Sequence, residues 1–295
     1  MPATTKQSIP EQVTAIHGKD DAVDREFVTE YENAEALHES GYDDVPRDQT
    51  SWAGTMPASQ GLYDAEYEKD SCGVGFVCHI KGASSHKIVS DARFLLCNMT
   101  HRGATGADAR DGDGAGVMTG IPDRFLRREV QSDQSFELPP LGKYACGNLF
   151  FTSKSDEERA EHVRVFESIA RKLGLRVLGW RHVPVDSSIL GPASKSKEPV
   201  TLQPFVVLGD YYGWESNRCE SNGHFDEKFF GRQLYVLRKH ATHRIGLGNW
   251  FYICSLSPSN IVYKGQLSPM QVYNYFYDLS NVFYEAHFAL VHSRF

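Results

Sequence analysis

Asp70-Ser71-Cys72-Gly73-Val74-Gly75-Phe76-Val77 is the stretch on which the reading of this chain turns. Cys72, Val74, Phe76, Cys78 and Ile80 recur at period two, which predicts a strand. The 71 residues before Cys72 carry little core-forming pattern. A structured region that opens on a cysteine, behind an expendable leader, points to an N-terminal nucleophile uncovered by cleavage. After a break between Ser71 and Cys72, the residue holds a thiol and a free α-amine. An α-amine has a pKa near 8 in peptides, so part of it is neutral at about pH 7. It can accept the thiol proton and later return a proton to a leaving group. In the uncleaved chain that nitrogen is an amide and cannot act as a base. Read by its neighbours alone, Cys72 fits a small strand residue equally well.

Charge separates the leader from the rest. Met1 to Ser71 holds 16 acidic and 5 basic residues, net −11; the remainder holds 22 and 26, net +4. The leader, few in branched apolar residues and rich in acids, is expected to be largely disordered to about Gln60. It lacks the basic start and apolar run of a secretory signal and is too acidic for a transit peptide, so a cytoplasmic location is expected. The nearly neutral body gives no reason to expect a nucleic-acid partner. No apolar run approaches the roughly 20 residues of a membrane span. The six cysteines show no CxxC pair and no zinc spacing, and reduced, mostly buried thiols are expected.

Beyond Cys72, strand and helix patterns alternate. Helices are predicted over Lys87–Thr100, over Asp156–Leu173 with Ser155 as N-cap, over Phe225–His243, and over Pro269–Tyr277 with Ser268 capping. Strands are predicted at Ala115–Thr119, Tyr144–Thr152, Arg176–Trp180, Gln203–Leu208 and Phe288–Phe295. Trp250–Leu256 and Asn260–Tyr263 read as a hairpin across Ser257-Pro258-Ser259. Gly209 to His224 reads as a loop. The sum is an α+β fold with a partly antiparallel sheet.

Three further groups bear on chemistry. His101-Arg102-Gly103 offers a fixed cation and a glycine that a ligand can approach closely; it reads more readily as a helix end with glycine at the cap. Arg294 closes the last strand and can grip a carboxylate with two hydrogen bonds, although a solvated arginine suits the same position. Asn222-Gly223 could supply an oxyanion hole, but in a polar loop it reads as a turn. Asp111-Gly112-Asp113-Gly114 lacks the Glu of an EF-hand and the Lys of a P-loop, and reads as a turn into a strand.

Together these residues are more specific than apart. Asp70–Phe76, Asn98-Met99-Thr100-His101-Arg102-Gly103-Ala104, Gly112-Asp113-Gly114-Ala115-Gly116, Leu178-Gly179-Trp180-Arg181, Val262–Leu267 and Ala289–Phe295 occur in an order and spacing that closely resembles the glutamate synthase family. The match is to its class II glutamine amidotransferase domain, over about Trp52 to Phe295, and most to the NADH-dependent eukaryotic form. The resemblance implies a four-layer αββα fold of the N-terminal-nucleophile hydrolase type. It implies that residues 1–71 are a propeptide and 72–295 the amidotransferase domain. Cys72 would then attack the side-chain amide of glutamine, form a γ-glutamyl thioester and release ammonia. Arg102 and Gly103 match the segment packed beside the nucleophile, and Arg294 the arginine that binds the α-carboxylate of glutamine. In the family the ammonia reaches a flavin site, where 2-oxoglutarate and reductant complete a second glutamate.

The family pattern runs on past His292-Ser293-Arg294-Phe295 into a Ser-Thr-Asn-Thr run and a His-Asn-Gly segment that supplies the oxyanion hole. Asn222-Gly223 precedes Arg294 and cannot replace that pair. The sequence is therefore expected to be the N-terminal part of a longer chain, incomplete at the C-terminal side of the domain. FMN, iron–sulfur, NADH and FAD sites are implied for the longer protein, and no cofactor for these residues. The partners implied are glutamine, the rest of the polypeptide and further copies of it. Alone, 72–295 is expected to fold poorly and to have negligible glutaminase activity. Two alternatives are another class II amidotransferase, similar to those making glucosamine 6-phosphate or asparagine, and a non-catalytic binding protein.

Overall fold

A strand from the end of the sequence organises the sheet that opens it. The computed structural model describes residues 61, 73–133, 136–152, 155–209, 220–221, 224–246 and 251–294, and its secondary structure lies in the unit Asp70–Phe295. β1 (Val74–Cys78), β2 (Ala115–Gly120), β9 (Asn260–Gly265) and β10 (Phe288–Ser293) make one antiparallel sheet in the order β1-β10-β2-β9. A second sheet has the order β4-β5-β3-β8, from β3 (Leu149–Phe151), β4 (Leu175–His182), β5 (Val200–Leu208) and β8 (Tyr252–Ile253). β6 (Glu220–Ser221) and β7 (His224–Phe225) form a short ladder of their own inside the segment expected to be loop.

The helices start and stop where local chemistry dictates. α1 (His86–Asn98) buries Ile88, Val89, Ala92 and Leu96 along one face. α2 (Asp123–Asp133) follows β2. α3 (Asp156–Lys172) begins at Ser155, whose hydroxyl accepts the Glu158 N–H. Three acids in its first turn and Arg171 and Lys172 in its last suit the helix dipole. α4 (Pro192–Lys195) is a single turn. α5 (Glu227–Ile245) is capped by Asp226, which accepts from Phe229 N–H, and ends at Gly246 with φ +88°. α6 (Val272–Tyr275) is shorter than Pro269–Tyr277: its first turn is replaced by Gln271, whose side chain takes the Ser268 N–H at 2.8 Å.

Two strand expectations need correction. Trp250–Leu256 and Asn260–Tyr263 do not pair as a hairpin. β8 pairs with β3 in the second sheet, whereas β9 pairs with β2 in the first. Between them Ser257 bridges Cys146, and the Ser255 hydroxyl accepts from the N–H groups of Asn148 and Val262. The connection is a crossing between sheets: β9 pairs with β2 along its whole length, while β8 adds a short edge to β3. The strand Tyr144–Thr152 is also shorter than its apolar run: only Leu149–Phe151 enters the ladder. Tyr144, Ala145 and Cys146 are buried without being part of it.

β1 alternates as predicted, but its bulky residues face outward. Val74 and Phe76 are exposed, Phe76 at 58%, while Gly75 and Val77 turn inward. Gly75 faces α1 so closely that a Cβ there would lie 2.4 Å from Leu95. Ile80 lies beyond the strand and is 99% exposed. Register places Phe76, Leu290, Met118 and Val262 in one row across all four strands, and none of the four is buried.

β5 serves two apolar cores because successive side chains point to opposite faces. Phe205 and Val207 join a core with α1, α2 and the inward residues of the first sheet, among them Val117, Tyr263, Ala289 and Val291. Val206 joins the other, with Phe166 of α3 and Phe230, Leu234 and Leu237 of α5. A buried polar knot ties these parts together. Arg181, 4% exposed, donates from both terminal nitrogens to Asp278 at 2.8 Å, and to Glu129 and Gln203. Tyr263 donates to Asp278, and Gln203 to Tyr263 and Asn148. Burial opposes the charge on Arg181, but the Asp278 hydrogen bonds outweigh it and raise its pKa well above the usual value.

Asp278→Ala removes the more deeply buried of the two carboxylates that pair with Arg181. It is expected to cost about 3–5 kcal/mol in denaturant unfolding. Lys87→Ala, which breaks the exposed Lys87–Asp91 pair, is expected to cost under about 1 kcal/mol. Equal losses from the two variants would contradict this account of the knot.

Candidate active site

The β1–β10 pairing sets the position of the chain next to Cys72. Cys72 itself lies outside the described residues, as do Asn222 and Gly223. Gly73, its neighbour, is described: its carbonyl accepts the Ser293 N–H at 2.7 Å. A Cβ on Gly73 would lie 2.7 Å from the Ser293 carbonyl oxygen and 4.0 Å from Arg102 Cβ. Lack of a side chain at Gly73 therefore lets three segments meet: the start of β1, Arg102 and the end of β10.

Arg102 closes a 3-10 turn, Thr100–Arg102, directly after α1. Gly103 follows with φ −84°, so it is not a left-handed cap. Its N–H returns to Thr100 at 3.0 Å. Space is what favours glycine here: a Cβ would press to 3.2 Å from Ser293 Oγ and 3.5 Å from Pro269. Ser293 Oγ is buried and has no hydrogen-bond partner. A buried hydroxyl without a partner is costly, and such atoms draw attention to a site.

The turn Asp111–Gly114 supplies the fourth wall. It leads into β2 as predicted, with Gly114 at φ +134°. Gly112 packs so tightly that a Cβ would come within 2.2 Å of the Leu267 and Ser268 backbone. The Asp111 carboxylate accepts the N–H groups of Ala193 and Ser194, at the start of α4. Those bonds, that from Ser194 foremost, lower its pKa. Asp113 turns the other way. Its N–H donates to Ala104, and its Oδ2 lies 3.1 Å from Nε of Arg294. Arg294, at φ +89°, donates its N–H to Gly114. The motifs around Gly73, Arg102, Gly103 and Arg294 thus converge at one end of the first sheet. The sequence reading singled out Arg102, Gly103 and Arg294. It missed Asp113, which looked like one member of a turn.

Beside this corner lies a cavity of about 700 Å³, with Asp113 on its wall and Phe150, Leu190, Phe251, Tyr252 and Phe276 among its apolar lining. Among the described residues no group of His, Cys, Asp or Glu is gathered to hold a metal ion. None of the described helices is long and apolar enough to cross a membrane.

Residues 72–295 match the class-II glutamine amidotransferases, and the chain belongs to that family. Among its relatives is the NADH glutamate synthase of Schizosaccharomyces pombe, 61% identical over 245 residues, which are 83% of this chain and 11% of the relative. The NADH glutamate synthase of Saccharomyces cerevisiae is 49% identical over 273 residues, 90% of this chain and 12% of that protein. The large chain of the NADPH glutamate synthase of Bacillus subtilis is 39% identical over 241 residues, 81% and 15% of the two. The chain thus spans only a small part of the length of these relatives.

The thiols among the described residues divide by environment. Burial pushes Cys146 and Cys254 up to about 12, and raises Cys97 as well, whereas Cys78 is exposed. At pH 8 the first two are protonated and sheltered, and only thiolates react readily. Iodoacetamide at that pH is expected to alkylate Cys78 in the native protein and to spare Cys146 and Cys254, as read by peptide mass spectrometry. Comparable labelling of Cys146 and Cys78 would count against this picture.

Proposed function

We propose that this chain carries the glutamine-hydrolysing part of a glutamate synthase, acting in glutamate biosynthesis. The observation that supports it most is the antiparallel β1–β10 pair. It brings Gly73, beside Cys72, against Ser293 and next to Arg102, Gly103 and Arg294. Family membership and the identity to glutamate synthases agree with it.

In this reading residues 1–71 are a propeptide and 72–295 form the amidotransferase domain. Cleavage before Cys72 frees the α-amine, which takes the thiol proton. The thiolate attacks the γ-carbonyl carbon of glutamine. The tetrahedral intermediate collapses, the C–N bond breaks, and the nitrogen leaves as ammonia with the returned proton. Water then cleaves the γ-glutamyl thioester to glutamate and restores the thiol. Arg294 binds the α-carboxylate of glutamine, and Arg102 and Gly103 shape the floor beside the nucleophile. The oxyanion donors come from elsewhere in the protein. Ammonia is used with 2-oxoglutarate and reductant on FMN, iron–sulfur, NADH and FAD sites of the longer polypeptide, which forms a homo-oligomer in the cytoplasm. The finer architecture in this proposal is the four-layer αββα sandwich. The apolar row Phe76, Leu290, Met118 and Val262, exposed at Phe76 and half-buried at the other three, supports it, since an apolar sheet face calls for a further layer.

The test uses the natural protein. Its first residue, read by N-terminal sequencing, is expected to be Cys72. Cys72→Ser is expected to abolish glutamine hydrolysis, by at least about 10³-fold, while ammonia-dependent glutamate formation persists. A protein that keeps Met1, or a Cys72→Ser variant that still hydrolyses glutamine, would favour the non-catalytic binding reading or another nucleophile.

A further inference from the structure

We propose that Asp113 is a positioning residue for substrate binding: it holds the Arg294 guanidinium in the orientation that receives the α-carboxylate of glutamine. This rests on the glutaminase reading above and adds a residue that the sequence reading took as part of a turn.

Four observations carry it. First, Arg294 is the one non-glycine residue at positive φ among the described residues, at +89°. Such a conformation is strained for a residue with a side chain and persists only where the surroundings impose it. Second, those surroundings are identifiable. The Arg294 N–H is held by the Gly114 carbonyl at 2.7 Å, and its own carbonyl accepts from His292 Nδ1 at 2.9 Å. Gly114 adjoins Asp113, so one turn fixes both the backbone and the side chain of Arg294. Third, Asp113 approaches Nε at 3.1 Å. Nε lies on the flank of the guanidinium, away from the edge formed by the two terminal nitrogens. That edge is the one a carboxylate can take end-on with two parallel hydrogen bonds. Fourth, Asp113 Oδ1 is buried without a hydrogen-bond partner, which leaves the carboxylate dependent on the Arg294 charge.

Magnitude separates orientation from stability. The Arg294 side chain is 64% exposed and that of Asp113 27%. An ion pair of that exposure contributes little to folding. A long, exposed arginine is otherwise free to sample many rotamers, and a ligand that needs one of them must order it. A carboxylate that fixes the side chain beforehand lowers that cost, and the effect belongs in KM. Asp113 needs no contact with the reacting γ-amide, so kcat should be spared.

The experiment is a double-mutant cycle in the natural full-length protein. Glutamine hydrolysis and thermal midpoint are measured for the wild type, Asp113→Asn, Asp113→Glu, Arg294→Ala and the Asp113→Asn/Arg294→Ala pair. Asp113→Asn is expected to raise KM for glutamine about 10-fold, with kcat within about twofold and the midpoint unchanged. Asp113→Glu should recover part of the loss. In the Arg294→Ala background Asp113→Asn should change KM by less than about twofold, because the group it positions is gone. A wild-type KM for Asp113→Asn, or the same 10-fold change with and without Arg294, overturns the positioning role and leaves the glutaminase reading standing. Absence of glutamine hydrolysis in the wild-type protein overturns both.

Discussion

The antiparallel pairing of β1 with β10 is the constraint on which the site depends. Each of the five residues of β1 has a partner on β10, from Val74 with His292 to Cys78 with Phe288. β10 is also the partner of β2 on its other side. One strand therefore fixes the register of two others, and the ends of all three meet at the same corner. A slip of one residue would turn Gly75 away from Leu95 and set Val74 or Phe76 against α1, where no space exists. Packing of α1 thus enforces the register, and the register places Gly73 against Ser293.

The rest of the fold keeps that corner rigid. Arg181, Asp278, Gln203, Tyr263 and Asn148 form a buried network that includes residues of β4, β5 and β9. Such a network stabilises little compared with apolar packing, but it accepts few alternative geometries. Around it the inward residues of the first sheet and the alternate residues of β5 share one core. On the far side of the second sheet, α3 and α5 share the other. The candidate site thus lies where strand ends and short turns project from elements that cannot easily shift.

Much of the fold was legible because its signals are local. The apolar spacing of α1, the Ser155 cap of α3 and the Asp-Gly turn before β2 depend on residues a few positions apart. The chosen boundaries of α5 missed the Asp226 cap, which sits one residue inside the expected helix start. The supposed hairpin failed for a different reason. A Ser-Pro-Ser turn between two apolar runs signals a reversal of the chain, but not which strands each run will meet. β9 joined β2 and β8 joined β3, so the two runs ended in different sheets. Arg102, Gly103 and Arg294 were found as motifs, with their roles implied by resemblance. Asp113 stood within a matched motif but without a role, because its meaning lies in a contact with Arg294 across the β2–β10 pair.

By itself the sequence determined where most of the helices and strands lie and which family the motifs resemble. These follow from periodicity, capping and motif order, all written along the chain. Only the tertiary structure decided that the first strand lies beside the last, that β8 and β9 part into different sheets, and that Asp113 faces Arg294. Those outcomes depend on competition among long-range pairings and on the close approach that Gly73, Gly75 and Gly112 permit. Such competition is settled by packing in three dimensions, where residues far apart in sequence become neighbours.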